Sequence, residues 1–81
     1  MKKFQIPAAR LEIRHLAVLQ ALARWQSATA AAEHLGITSS AISHRLREAE
    51  HRLGIHLTIR VGSGLRLTEA GERLCQSANR I

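Results

Sequence analysis

Between Ile13 and Trp25 the apolar positions recur at helical spacing: Ile13, Leu16, Val18, Leu19, Leu22 and Ala23. On a helix, Leu16, Leu19 and Ala23 share one face, and Val18 and Leu22 lie roughly 100° round from it. A surface helix needs only one apolar face, so the second packs on a later helix of the same chain or on a partner chain. Ser27 is placed to cap a short helix over 28–35, whose run ATAAA joins high helix propensity to small side chains. Gly36 fits its C-terminal cap. Thr38 then caps a helix from Ser39 to about Leu53, closed by Gly54. Two helices joined by a turn of about three residues containing Gly predict a helix-turn-helix.

After Gly54 the period changes from helical to two. Ile55, Leu57 and Ile59 alternate with His56, Thr58 and Arg60, and Leu65-Arg66-Leu67 alternates again beyond a Val-Gly-Ser-Gly tip. This predicts a hairpin with one Arg on each strand, Arg60 and Arg66. Thr68 caps a last helix running from Glu69 to the end, with Ala70, Leu74, Ala78 and Ile81 as its apolar stripe. Residues 1–11 read as an extended arm, since Pro7 disfavours helix at the residue before it. The expected fold is mainly α with one small β-hairpin: an arm over 1–11, a winged helix-turn-helix over 12–67, and a terminal helix over 68–81.

Composition narrows the function. The 81 residues suffice for one small domain. Twelve Lys and Arg stand against six acids, all Glu, for a net charge of +6. A basic domain of this size suggests a polyanionic partner, nucleic acid before acidic membrane. The single Cys75 rules out an internal disulfide, which fits a reducing compartment, and Cys75 reads as a helix-packing or an exposed thiol. No apolar run reaches membrane-spanning length, and no signal-peptide stretch follows the two N-terminal Lys, so a soluble cytoplasmic protein is expected. Phe4 and Trp25 are the only aromatics, too few for single-strand binding on stacked bases.

The stretch GITSSAISHRLR, residues 36–47, holds more hydroxyls than capping requires. Placed on a wheel at 100° per residue, Ile42, Leu46, Ala49 and Leu53 form a core stripe. Ser40, Ser43, His44, Arg47 and His51 lie opposite, and Glu48 and Glu50 fall to the flanks. The outward row is hydroxyl-rich at its start and basic beyond, along a helix of about 22 Å. A helix that reads the major groove presents its N-terminal half to base edges. Short Ser side chains bond phosphate or base without holding the helix away, and Arg47 reaches a guanine edge or a phosphate fork. The candidate DNA contacts are therefore Ser27, Thr38, Ser39, Ser40, Ser43, His44 and Arg47, with Arg60, Ser63 and Arg66 on the wing. Arg60 is the stronger wing candidate, because Arg66 fits a solvated strand charge equally well.

These residues together resemble the DNA-binding domain of the LysR-type transcriptional regulators, over about residues 11–81. The resemblance rests on Ser27, Ala31-Ala32, Ser43, Glu50-His-Arg-Leu53-Gly54, Leu57, Arg60 and Leu67-Thr-Glu-Ala-Gly71. It implies that the last helix is a linker packed on a partner in a homodimer, or a tetramer in a full-length protein. Val18, Leu22, Ala70, Leu74, Ala78 and Ile81 are the implied dimerisation residues. It also implies a pseudo-palindromic double-stranded DNA site. Members normally carry a C-terminal domain that senses a small molecule, so an effector is expected only where such a domain follows the linker helix. Ser39-Ser40 stand where members usually have Gln-Pro, Ala49 where they have Leu, and Thr58 where they have Phe. The last two shrink apolar volume and predict a looser hinge between recognition helix and wing.

Other classes fit less well. No acid lies on the exposed row to orient Ser43 and His44 for catalysis. Arg47 separates His44 from His51, and no zinc-ligand spacing is present. No enzyme activity, cofactor or metal is expected. A protein-docking winged helix would explain the apolar stripes but not the basic row. A non-specific basic DNA binder would explain the charge, and it predicts a steep salt slope without sequence preference.

Overall fold

A computed structural model describes residues 11–62 and 64–79. In chain order the elements are α1 (Ile13–Trp25), α2 (Ala28–Leu35), α3 (Ser39–Leu53), β1 (Thr58–Val61), β2 (Gly64–Leu67) and α4 (Glu69–Asn79). The caps explain most of these boundaries. Ser27 Oγ accepts the Ala30 N–H at 3.2 Å, and Thr38 Oγ1 accepts the Ala41 N–H at 3.0 Å. Between α2 and α3, Gly36 takes φ +69°, a left-handed conformation that costs a residue with a Cβ about 1–2 kcal/mol. Its N–H bonds the Glu33 carbonyl and Ile37 N–H bonds that of Ala32, which ends α2 and turns the chain into α3.

α1 is the common wall of the domain, packed against α2, α3, α4 and β2. Val18, Leu19 and Leu22 on α1 are fully buried, with Ala31 of α2, Ile42, Leu46 and Ala49 of α3, Leu57, and Leu74 of α4. The second apolar face of α1 is thus covered within the chain. Val18, Leu22 and Leu74 are core residues, so the expectation that they contact a partner is corrected. In a domain this small, α4 folds back on α1 and hides Leu74 itself. Cys75 is also buried there, a packing thiol whose pKa is pushed up mainly by burial, with Glu72 adding to it. Ala23 and Ile13 are exposed, Ile13 at 85% in the first turn of α1.

The hairpin pairs Thr58 with Leu67, Ile59 with Arg66, Arg60 with Leu65 and Val61 with Gly64. Its first strand starts three residues later than the alternation suggests. The Leu57 N–H is taken by Glu50 Oε2 at 2.8 Å, so the chain from Ile55 to Leu57 is a bridge out of α3 and not part of the ladder. Leu57 is the buried residue of that run, and Ile59 is 52% exposed, on a two-stranded ribbon that no other described residue covers on that face. The Leu57 carbonyl accepts the Thr68 N–H at 2.9 Å. Thr68 Oγ1 donates to the His56 carbonyl and accepts the Gly71 N–H, capping α4. At the other end of the ribbon, Leu65 N–H bonds the carbonyl of Gln26, whose own φ of +53° ends α1. The arm over 1–10, Ser63 and Ile81 lie outside the described residues.

Two stability measurements follow from this packing. A Cβ on Gly71 would lie well inside van der Waals contact of the Leu57 carbonyl oxygen and 3.2 Å from Leu67 Cβ. Gly71→Ala is expected to cost about 1–3 kcal/mol in urea unfolding, despite the better helix propensity of Ala. Leu74→Ala is expected to lose about 2–5 kcal/mol, the cost of a core cavity, rather than simply to dissociate a folded dimer.

Candidate nucleic-acid interface

The first turn of α3 presents hydroxyls at solvent. Thr38, Ser39 and Ser40 are exposed and Ser43 is half-buried, with His44 and Arg47 exposed beyond them. Ser40, Ser43, His44 and Arg47 share the helix side opposite Ile42, Leu46 and Ala49, whereas Thr38 and Ser39 are exposed only because they stand at the helix start. Thr38 uses its oxygen as cap acceptor, which leaves its hydroxyl proton free to donate to an anion. Ser27 is in the same position at the start of α2, half-buried, with its oxygen engaged by Ala30 N–H.

Both acids of α3 are held away from that row. Glu50 reaches to the Leu57 N–H. Glu48 Oε1 receives His15 Nε2 at 2.6 Å and Arg14 Nη2 at 2.9 Å. The His15 ring is 1% exposed. Its Nδ1 accepts the Glu12 N–H at 2.9 Å, so the proton resides on Nε2, which donates to the carboxylate. Glu12 in turn pairs with Arg14 Nε and Arg52 Nη2, each at 3.1 Å. The hydrogen bond from His15 is the main cause holding the Glu48 carboxyl below its usual range; burial opposes it, and Arg14 and Arg52 assist it. Sequence reasoning missed His15. The signal was present, since His15 stands three, four and seven residues before Val18, Leu19 and Leu22, on the same stripe.

The hairpin separates its two arginines. Cross-strand partners share a face and consecutive residues alternate, so Arg60, opposite Leu65, and Arg66, opposite Ile59, lie on opposite faces. Each strand carries one Arg, as expected, and the register sets the two on opposite faces of the ribbon. Arg66 helps line a cleft of about 350 Å³ with Leu22, Gln26, Glu72, Cys75 and Gln76, between α1, β2 and α4. Arg60 is exposed and, among the described residues, has no ion pair. Trp25 is 43% exposed, with the Arg24 guanidinium 5.4 Å from its ring centre and the tilted His34 ring 5.7 Å away.

Residues 13–72 match the family described as bacterial regulatory helix-turn-helix protein, lysR family. Over 71 residues the chain is 45% identical to the transcriptional regulator MetR of Escherichia coli K12, covering 88% of this chain and 22% of MetR. Over the same length it is 42% identical to the regulator PtxR of Pseudomonas aeruginosa, covering 23% of it. The chain thus spans less than a quarter of the length of these relatives. Among solved structures, the fold is similar to the DNA-binding domain of CbnR in its DNA complex, with a TM-score of 0.80 and 31% identity over 86% of this chain and 80% of that one. The DNA-binding domain of BenM bound to catB site 1 DNA gives a TM-score of 0.80 and 33% identity over 86% and 78%.

The Glu48 site carries a pH dependence whose sign is fixed. A carboxyl with a lowered pKa binds its proton more weakly in the folded chain than in the unfolded one. Its contribution to stability is fully present above its ordinary value of 4.5 and is lost as pH falls through 4.5 and then through the lower folded value. Urea unfolding at stepped pH is expected to show the midpoint falling across that window. In Glu48→Gln the same window should be flatter.

Proposed function

This chain belongs to the LysR family of bacterial regulatory helix-turn-helix proteins, and on that premise we propose that it binds double-stranded DNA sequence-specifically in transcription regulation. The observation that carries this reading is the acid-free outward row of α3, which exists because Glu48 and Glu50 are both tied elsewhere. α3 enters the major groove. Ser39, Ser40, Ser43, His44 and Arg47 meet bases and phosphates; Ser27 and Thr38 donate their free hydroxyl protons to phosphate. Arg60 on the wing contacts the backbone or the minor groove, and Arg66, on the other face of the ribbon, is the weaker candidate. The role is binding rather than catalysis, which agrees with the regulators among its relatives.

The functional unit is a homodimer on a pseudo-palindromic site, joined through α4. A tetramer and a small-molecule effector belong to a longer protein with a sensing domain. Among the described residues no helix is long and apolar enough to cross a membrane, and the proposed location is the cytoplasm.

Selection from a random-sequence duplex pool tests the reading. An enriched inverted repeat is expected; retention on DNA with no enrichment would favour non-specific binding by charge. On the enriched duplex, Arg47→Ala is expected to cost about 1–3 kcal/mol and less on random DNA. Arg60→Ala should weaken both equally and reduce the salt slope by about 0.9. Fluorescence anisotropy across a salt series measures all of these.

A further inference from the structure

We propose that His15 is a positioning residue for DNA reading: a buried ring that sets the rotation of α3 and keeps the Glu48 carboxylate out of the DNA-facing row. This rests on the functional reading above. It concerns a residue that lies on another helix and touches no nucleic acid.

The apolar stripe decides which side of α3 faces the core, but apolar packing is non-directional and leaves the finer rotation to other contacts. α3 rests on the core through Ile42, Leu46 and Ala49, and at its C-terminal half the contact is Ala49 with a partly buried Leu53. A hydrogen bond, by contrast, falls off steeply with angle. The bond from His15 to Glu48 acts in that half, one residue beyond Arg47. The ring itself cannot follow a turning helix, because its Nδ1 is bound to the Glu12 N–H at the first turn of α1. A polar ring occupies a core position where Leu or Met would bury more apolar surface, and both its nitrogens are used.

The second half of the role is electrostatic. Glu48 is four residues after His44 and adjacent in sequence to Arg47. Residues four apart on a helix are neighbours. A carboxylate released from His15 would lie beside His44 and lower the positive potential that phosphates meet. His15, with Arg14, draws that charge to the α1 side of α3.

The test uses the full chain, with the duplex enriched by the wild type and a random-sequence duplex as probes. The readout is the ratio of the two affinities, taken well below each variant's melting temperature. His15→Ala is expected to lower that ratio about tenfold. His15→Gln should restore most of it, since one amide can accept the Glu12 N–H and donate to Glu48. In NMR titrations the Glu48 carboxyl should move toward its ordinary range in His15→Ala and return in His15→Gln. Where His15→Ala fails to fold, Glu48→Ala makes the test from the α3 side. Removing an acid raises affinity for random DNA, yet selectivity should fall. An unchanged ratio in the folded His15 variant, or equal gains on both duplexes in Glu48→Ala, would overturn the proposal while leaving DNA reading intact. A wild-type chain that binds no duplex would overturn both.

Discussion

The peptide at Leu57 is the constraint on which the arrangement of α3, the hairpin and α4 depends. Its side chain is fully buried, its N–H is bound by Glu50 of α3, and its carbonyl is bound by Thr68 at the start of α4. A buried peptide with either group unpaired would cost about 1–3 kcal/mol. The three elements that meet there must therefore hold a narrow range of mutual positions. Gly71 belongs to the same junction, since α4 passes so near the Leu57 carbonyl that a side chain would not fit. The motif residues Glu50, Leu57, Thr68 and Gly71, scattered over more than twenty positions, are one structural unit.

That junction also bears on the expectation of a looser hinge. Ala49 and Thr58 do remove apolar volume between α3 and the hairpin, but the join is made chiefly by hydrogen bonds. Glu50 to Leu57, Leu57 to Thr68 and Thr68 to His56 are all 2.8–2.9 Å. Directional bonds tolerate a smaller side chain at position 49 better than pure packing would. The far end of the ribbon is fixed independently by Leu65 N–H on the Gln26 carbonyl, so the wing is anchored to α1 as well as to α3.

Charge and packing are coupled in the same way. The net charge of +6 says only that the chain favours a polyanion. A usable basic face requires the acids to be elsewhere, and α3 carries two of the six. Both are engaged in holding the fold. Glu48 ties α3 to α1 through His15 and Arg14, and Glu50 ties it to the approach to β1 at Leu57. The bonds that orient α3 on the core are the bonds that clear its outer row.

The sequence by itself determined the six elements and most of their ends. Helical periodicity, Ser27 and Thr38 at N-caps, Gly36 and Gly54 at C-caps, and alternation around a Gly-Ser-Gly tip are local signals, and local backbone geometry obeys them. It also determined the outward row from Ser40 to Arg47, because a core stripe of Ile42, Leu46 and Ala49 leaves only one side for it. Tertiary structure decided the rest. It covered Val18, Leu22 and Leu74 within the chain, where periodicity marks an apolar face but not the surface that meets it. It put Arg60 and Arg66 on opposite faces, because the register belongs to two strands together. It gave His15 a carboxylate partner 33 positions away, a pairing that only the approach of α1 to α3 creates. Periodicity and capping act within a few residues, while burial and hydrogen-bond pairing depend on what the folded chain brings alongside.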